Sequence, residues 1–237
     1  MRRLVFLFAL PLLAQSPVML QDGDSIRVLA GSDYVVAHDG LYPRYVLGGS
    51  SWVPTGQPVT LGWHVQQYSK QVPVEDQRRA ILAAMREWSR YAQIRWIEAP
   101  DSQTSATSPT VNIWWTCDPH GDSTFPPYAG HTFLPCSASS LCGAIHFDDC
   151  NVKWTTGTPD DQSTPMTYSI YNTILHELGH ALGLAHSTLP NVVMSGLPWY
   201  FNNSVQGLQP DDIAAIQSLY APPRPTQSRV TPGKPEK

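Results

Sequence analysis

Charged side chains are scarce in this chain. Fifteen Lys and Arg with nineteen Asp and Glu make 14% of its 237 residues and leave a net charge of −4, against about 25% charged residues in an average soluble protein. There is no basic stripe to lie along a phosphate backbone, so nucleic acid is not an expected partner. Long apolar runs are also missing. Beyond Leu4 to Ala14 nothing approaches the ~20 apolar residues that a helix needs to cross a bilayer, so no stable membrane insertion is expected. Cysteine is sparse: Cys117, Cys136, Cys142 and Cys150 are the complete set. None has Cys-x-x-Cys spacing, which ranks thiolate metal ligation behind disulfide formation. The sequence contains no internal repeat.

What is present suits one exported domain. Hydrophobic residues are 42% of the chain and include eight Trp, enough for a sizeable core in a chain too short for two comfortable domains. Ser, Thr, Pro and Gln stand where charges usually do, as on an extracellular surface. Met1-Arg2-Arg3, the apolar run after it and the small residues Ala14 and Ser16 read as a signal peptide over 1–16, implying secretion. Four cysteines in an exported chain imply two disulfides. Three pairings are open, with the short Cys136–Cys142 loop the easiest to close. Residues 17–43 read as an N-terminal arm or short pro-segment, and the Pro-rich 224–237 as a disordered tail. Asn202-Asn203-Ser204 is a glycosylation sequon where the source organism glycosylates.

Periodicity places the elements between. Val59, Leu61, Trp63 and Val65 alternate as a half-buried strand does. Pro73-Val74-Glu75-Asp76 opens a helix whose apolar face is Ile81, Met85, Trp88 and Ala92. Ile94 to Ile97, Val111 to Trp115 and Ala144 to Phe147 read as further strands. A second helix covers about Tyr171 to Leu182. A third follows Pro210 with Ile213, Ile216 and Tyr220 on one face. Residues 99–110 and 118–143 read as long loops, which in a compact domain are functional or tied down.

The chemistry concentrates in His176-Glu177-Leu178-Gly179-His180. Imidazoles at i and i+4 share one helix face and can reach a single ion. His186, six residues on, would be carried away by a straight helix. Gly183 lets the chain turn back, because a residue without a Cβ tolerates the left-handed conformation that ends helices. Three neutral histidines would leave zinc one open position for water, whose pKa falls towards about 7. Glu177 is then the candidate general base. This five-residue coincidence arises by chance on the order of once in ten million positions. A closed structural site would want a fourth ligand, which the neighbouring sequence does not offer.

The pattern His176-Glu177-x-x-His180-x-x-Gly183-x-x-His186 resembles the metzincin zinc motif. Ser187 directly after it, and Met194 at the place of the Met-turn, resemble matrixins, the matrix-metalloproteinase family. The likeness runs from about Tyr45 to Pro223, with Asp211-Asp212-Ile213 through Tyr220 resembling the closing helix. It implies an α+β domain over 44–223, with a twisted mixed sheet of about five strands and three helices. It implies a secreted zinc metalloendopeptidase, monomeric, acting on proteins or peptides that lie along an edge strand at Gly130 to Pro135. His120, Asp122, His131 and His146 match the family's structural zinc ligands and make a full tetrahedral set.

Departures from the pattern are informative. His120 and His131 are closer together than is usual in the family. Asp148-Asp149-Cys150-Asn151 keeps only part of the family's acidic cluster, so calcium is allowed at Asp148 and Asp149 rather than required. No cysteine precedes residue 117, so the family's cysteine-based latency is absent. Ser195-Gly196-Leu197-Pro198 replaces the usual Tyr-Pro, so cleavage preference does not carry over. The competing reading is a secreted binding module that kept the fold and metal but lost catalysis. Glu177 argues against it, since a degenerate copy would lose the base first. A different metzincin subfamily is disfavoured by Ser187.

Overall fold

The alternating run at Val59 becomes a strand because one of its faces can be buried: Val59, Leu61 and Trp63 point into the core while Thr60 stays exposed. A computed structural model describes residues 45–100, 109–120, 129–136, 139, 141–157, 165–196 and 207–224. The expected signal peptide and arm, the expected tail beyond Arg224, Asp122, the sequon and Leu197-Pro198 lie outside the described residues.

In chain order the elements are β1 (Val46–Leu47), β2 (Val59–Gln67), α1 (Val74–Tyr91), β3 (Ile94–Glu98), β4 (Thr110–Thr116), β5 (Gly130–Thr132), β6 (Ile145–Asp148), β7 (Lys153–Thr155), β8 (Thr167–Ser169), α2 (Ile170–Ala181), β9 (Leu184–Ala185) and α3 (Pro210–Leu219). Five strands make one mixed sheet in the order β3-β2-β4-β6-β5. The first four are parallel, and β5 joins the β6 edge antiparallel. Two small ladders, β1 with β9 and β7 with β8, and two isolated bridges, Gln57 with Tyr220 and Ser187 with Ser195, complete the described pairing. The α+β sheet and three helices agree with expectation, and β5 is one edge of the sheet, though it ends at Thr132 rather than running to Pro135. The two small ladders were not expected, since strands of two or three residues carry no periodicity.

Helix α1 follows Pro73, with Glu75 and Asp76 in its first turn, where the helix dipole favours anions. Ile81, Met85 and Trp88 of its predicted face are buried, as is Ala92, which lies just past the helix end. Trp88 also donates its indole N–H to the Leu175 carbonyl at 2.9 Å, fixing α1 against α2. A buried indole needs such a partner. The core continues through Trp115, Phe147 and Trp154, with Trp115 and Phe147 ring centroids 4.7 Å apart.

Helix α3 corrects one detail. Its buried apolar residues are Ala215, Ile216 and Leu219, while Ile213 is half-buried. Tyr220 lies just past the helix end, buried, and its hydroxyl donates to the Leu182 carbonyl at 2.8 Å. A helical wheel cannot place a residue that has already left the helix. Both disulfides form, Cys117–Cys150 and Cys136–Cys142. The long loop is thus tied at Cys117 and again at Cys136.

Candidate active site

Helix α2 begins where Ser169 accepts the Asn172 N–H on its hydroxyl, removing one of the unpaired donors of a helix start. Its one turn between His176 and His180 brings their Nε2 atoms to 3.0 Å. The helix then ends as expected. Gly183 donates its N–H to His180 O at 2.8 Å and takes φ +104°. A Cβ there would sit 2.2 Å from the Ser50 carbonyl oxygen, so any side chain strains the turn and forces the backbone to shift. Strand β9, paired with β1, carries the chain straight into His186.

The Nε2 of His186 lies 3.2 Å from that of His176 and 3.1 Å from that of His180. Three nitrogens so spaced sit on a circle of roughly 1.8 Å radius, so one point above their plane is about 2.0–2.1 Å from each, the zinc–imidazole distance. The Nδ1 atoms face away from this point. His176 Nδ1 meets the Val193 carbonyl at 2.6 Å and His180 Nδ1 the Leu184 carbonyl at 2.8 Å. A carbonyl can only accept, so each Nδ1 holds the proton and each Nε2 keeps its lone pair inward. Burial, and next the neighbouring His180, push His176 down to about 3. Burial with His186 does the same to His180, and burial with His176 to His186, each to about 3. Neutral imidazoles are the form a metal needs.

Glu177 is 4% exposed. Burial raises its carboxyl to about 7, against a hydrogen bond from the Thr132 hydroxyl that works downward. That bond is 2.5 Å long and joins α2 to the edge strand. The floor beneath is Met194, 1% exposed. A Cβ at Gly179 would lie 2.2 Å from its sulfur, so the small residue between His176 and His180 lets the methionine in. The turn itself hangs on Asp212, whose carboxylate accepts the Val193 and Met194 N–H groups, both at 2.9 Å, and Gln209 N–H at 2.8 Å. Ser187 adds a bond to Asp211 at 2.7 Å. Thr132, Gly179 and the turn-holding role of Asp212 escaped sequence reasoning. Only a Gly at the one spacer facing the methionine carried any signal.

A second histidine group forms on the sheet. His131 of β5 stands directly opposite His146 of β6, and His120 stacks on His131 with ring centroids 5.2 Å apart. One ring nitrogen from each lies within 4.8 Å of the others, so the three could hold a metal ion. Asp118 Oδ1 accepts from His120 Nδ1 at 2.9 Å, orienting that ring as carboxylates orient metal-binding histidines. Asp122, the expected fourth ligand, is outside the described residues. Asp148 accepts the Cys150 and Asn151 backbone N–H groups and the Asn151 side chain. Asp149 accepts the Ser69 hydroxyl, the Gln71 amide and the Lys70 N–H. Asp148 thus caps its own turn, while Asp149 ties that turn to the 69–71 segment.

A family model described as Matrixin matches residues 51–221. Among known proteins, matrix metalloproteinase-16 of Mus musculus is 30% identical over 188 residues, 76% of this chain and 29% of that protein. Stromelysin-3 of Homo sapiens is 30% identical over 195 residues, 80% of this chain and 36% of that protein. Matrix metalloproteinase-20 of Homo sapiens is 30% identical over 175 residues, 71% of this chain and 33% of that protein. The chain thus spans about a third of the length of these relatives. With the match covering β2 through α3 and both histidine groups, the chain belongs to the matrixin family.

Proposed function

We propose that this matrixin is a secreted zinc-dependent endopeptidase. The reading is carried by three neutral imidazole nitrogens 3.0–3.2 Å apart beside a buried carboxyl. His176, His180 and His186 would hold the cation through Nε2. Bound there, zinc supplies a Lewis acid that acidifies a water and polarises a carbonyl. Glu177 removes the proton from the attacking water and returns it to the leaving amine, so no covalent intermediate is needed. Val193 and Leu184 keep two of the rings in one tautomer through that proton movement. Strand β5 offers its outer edge to an extended peptide, whose backbone bonds supply affinity.

His120, His131 and His146, with Asp122, would hold a second, structural zinc that ties the long loop to the sheet. Calcium at Asp148 and Asp149 would have to compete with the N–H and O–H donors those carboxylates already accept, and the proposal does not require it. The chain is organised as a signal peptide over 1–16, an arm over 17–43, the catalytic domain over 44–223 and a tail over 224–237, and it acts as a monomer.

The test is to measure zinc per chain and cleavage of a mixed peptide library by the secreted protein and its Glu177→Ala variant. Two zinc ions per chain and a loss of about 10³-fold in cleavage with zinc retained are expected. Unchanged cleavage in the variant would remove the mechanism.

A further inference from the structure

We infer that Thr132 is a positioning residue for the Glu177 carboxyl, a role that rests on the endopeptidase reading. The strand pleat makes the arrangement. Successive side chains of a strand point to opposite faces, and β5 uses both. His131 pairs across to His146 in the second histidine group. Thr132, one residue on, turns towards α2 and donates its hydroxyl to Glu177 Oε2 at 2.5 Å. Among the described residues this is the sole hydrogen-bond partner of either side chain.

Each half of the pair needs the other. A strand position is served as well by valine as by threonine, so packing does not explain the hydroxyl, and the carboxylate does. The terminal torsion of a glutamate is broad, so packing alone holds the carboxyl plane weakly. Anchoring Oε2 leaves Oε1 as the oxygen presented for proton transfer and fixes its direction. It also gives a buried charge the donor it would otherwise lack. Because β5 carries His131 on its other face, whatever fixes the second histidine group also fixes the donor of the first site's base.

The comparison is Thr132→Val, which keeps the shape and removes the donor, against Thr132→Ser, which keeps the donor. Kinetics are read beside the ¹³C-carboxyl resonance of Glu177, assigned by its disappearance in Glu177→Gln. Thr132→Val should lower kcat by about tenfold with KM within about twofold, zinc per chain unchanged, and should displace the resonance. Thr132→Ser should recover both. An unmoved resonance in Thr132→Val, an unchanged kcat, or an equal loss in Thr132→Ser overturns the inference. Loss of zinc or of fold in Thr132→Val while Thr132→Ala keeps both and full kcat overturns it as well. If the wild-type chain cleaves no peptide, the endopeptidase reading fails on its own, and the resonance still decides whether the hydroxyl holds the carboxyl.

Discussion

The two histidine groups are built by opposite means. The first is nearly local: two histidines come from one turn of α2, and the third follows the turn at Gly183 and the short strand β9. The second is assembled by pairing. His131 and His146 meet only because β5 lies antiparallel on β6, and His120 arrives from the loop after β4. The helix group has two of its outward nitrogens, those of His176 and His180, bound by backbone carbonyls at 2.6 and 2.8 Å. In the sheet group a nearby carboxylate, Asp118, does this for His120. A site held by backbone is fixed by the fold. A site across an edge strand helps to fix the fold in return.

That contrast can be broken in order of size. His180→Ala should abolish cleavage and remove one zinc per chain while leaving the circular-dichroism spectrum intact, because the helix does not need the ligand. A folded variant that kept both zinc ions would show that the convergence at 3.0–3.2 Å is not a binding site. Gly183→Ala attacks the turn instead. A side chain in that backbone region costs about 1–3 kcal/mol, and here it also meets the Ser50 carbonyl. Denaturant unfolding should report at least that loss, together with zinc lost from the helix group first.

The sheet group should behave as a clamp. His146→Ala should lower the melting temperature by roughly 5–10 °C when zinc is present at about a hundred times its dissociation constant, and much less in chelator. An equal drop with and without chelator would mean that packing alone, not metal, accounts for the change. The smallest effect sharpens the backbone side of the comparison. Asp212→Asn weakens the acceptor that holds Val193, and Val193 orients His176. Zinc affinity at the helix group should fall about tenfold, as competition with a chromogenic chelator would measure. The sheet group should be untouched.

Legibility in the sequence follows the same division. His176, His180, Gly183 and His186 could be read because helix geometry turns spacing into distance, and a glycine at a helix end has one common use. The face of α1 was legible for the same reason, and its four predicted residues are all buried. His120, His131 and His146 were singled out by family likeness, since nothing in their spacing says which strands pair. Thr132 was not found at all. Its partner is 45 residues away in sequence, and a threonine in a short strand looks like a strand former. Ile213 packs on the core only half-buried, and Tyr220, like Ala92 after α1, is buried from just past its helix end, where helical period no longer sets its direction.

By itself, then, the sequence determined what is periodic or adjacent: the helix faces, the half-buried strand, and the histidines of one helix and the short stretch after its terminal turn. Tertiary structure alone decided the sheet order, the edge position of β5, the Met194 floor against Gly179 and the hydroxyl that meets Glu177. The physical reason is range. Backbone hydrogen bonds and side-chain period act over a few residues and leave a pattern in the chain. Cross-strand pairing and core packing join residues that no local rule connects.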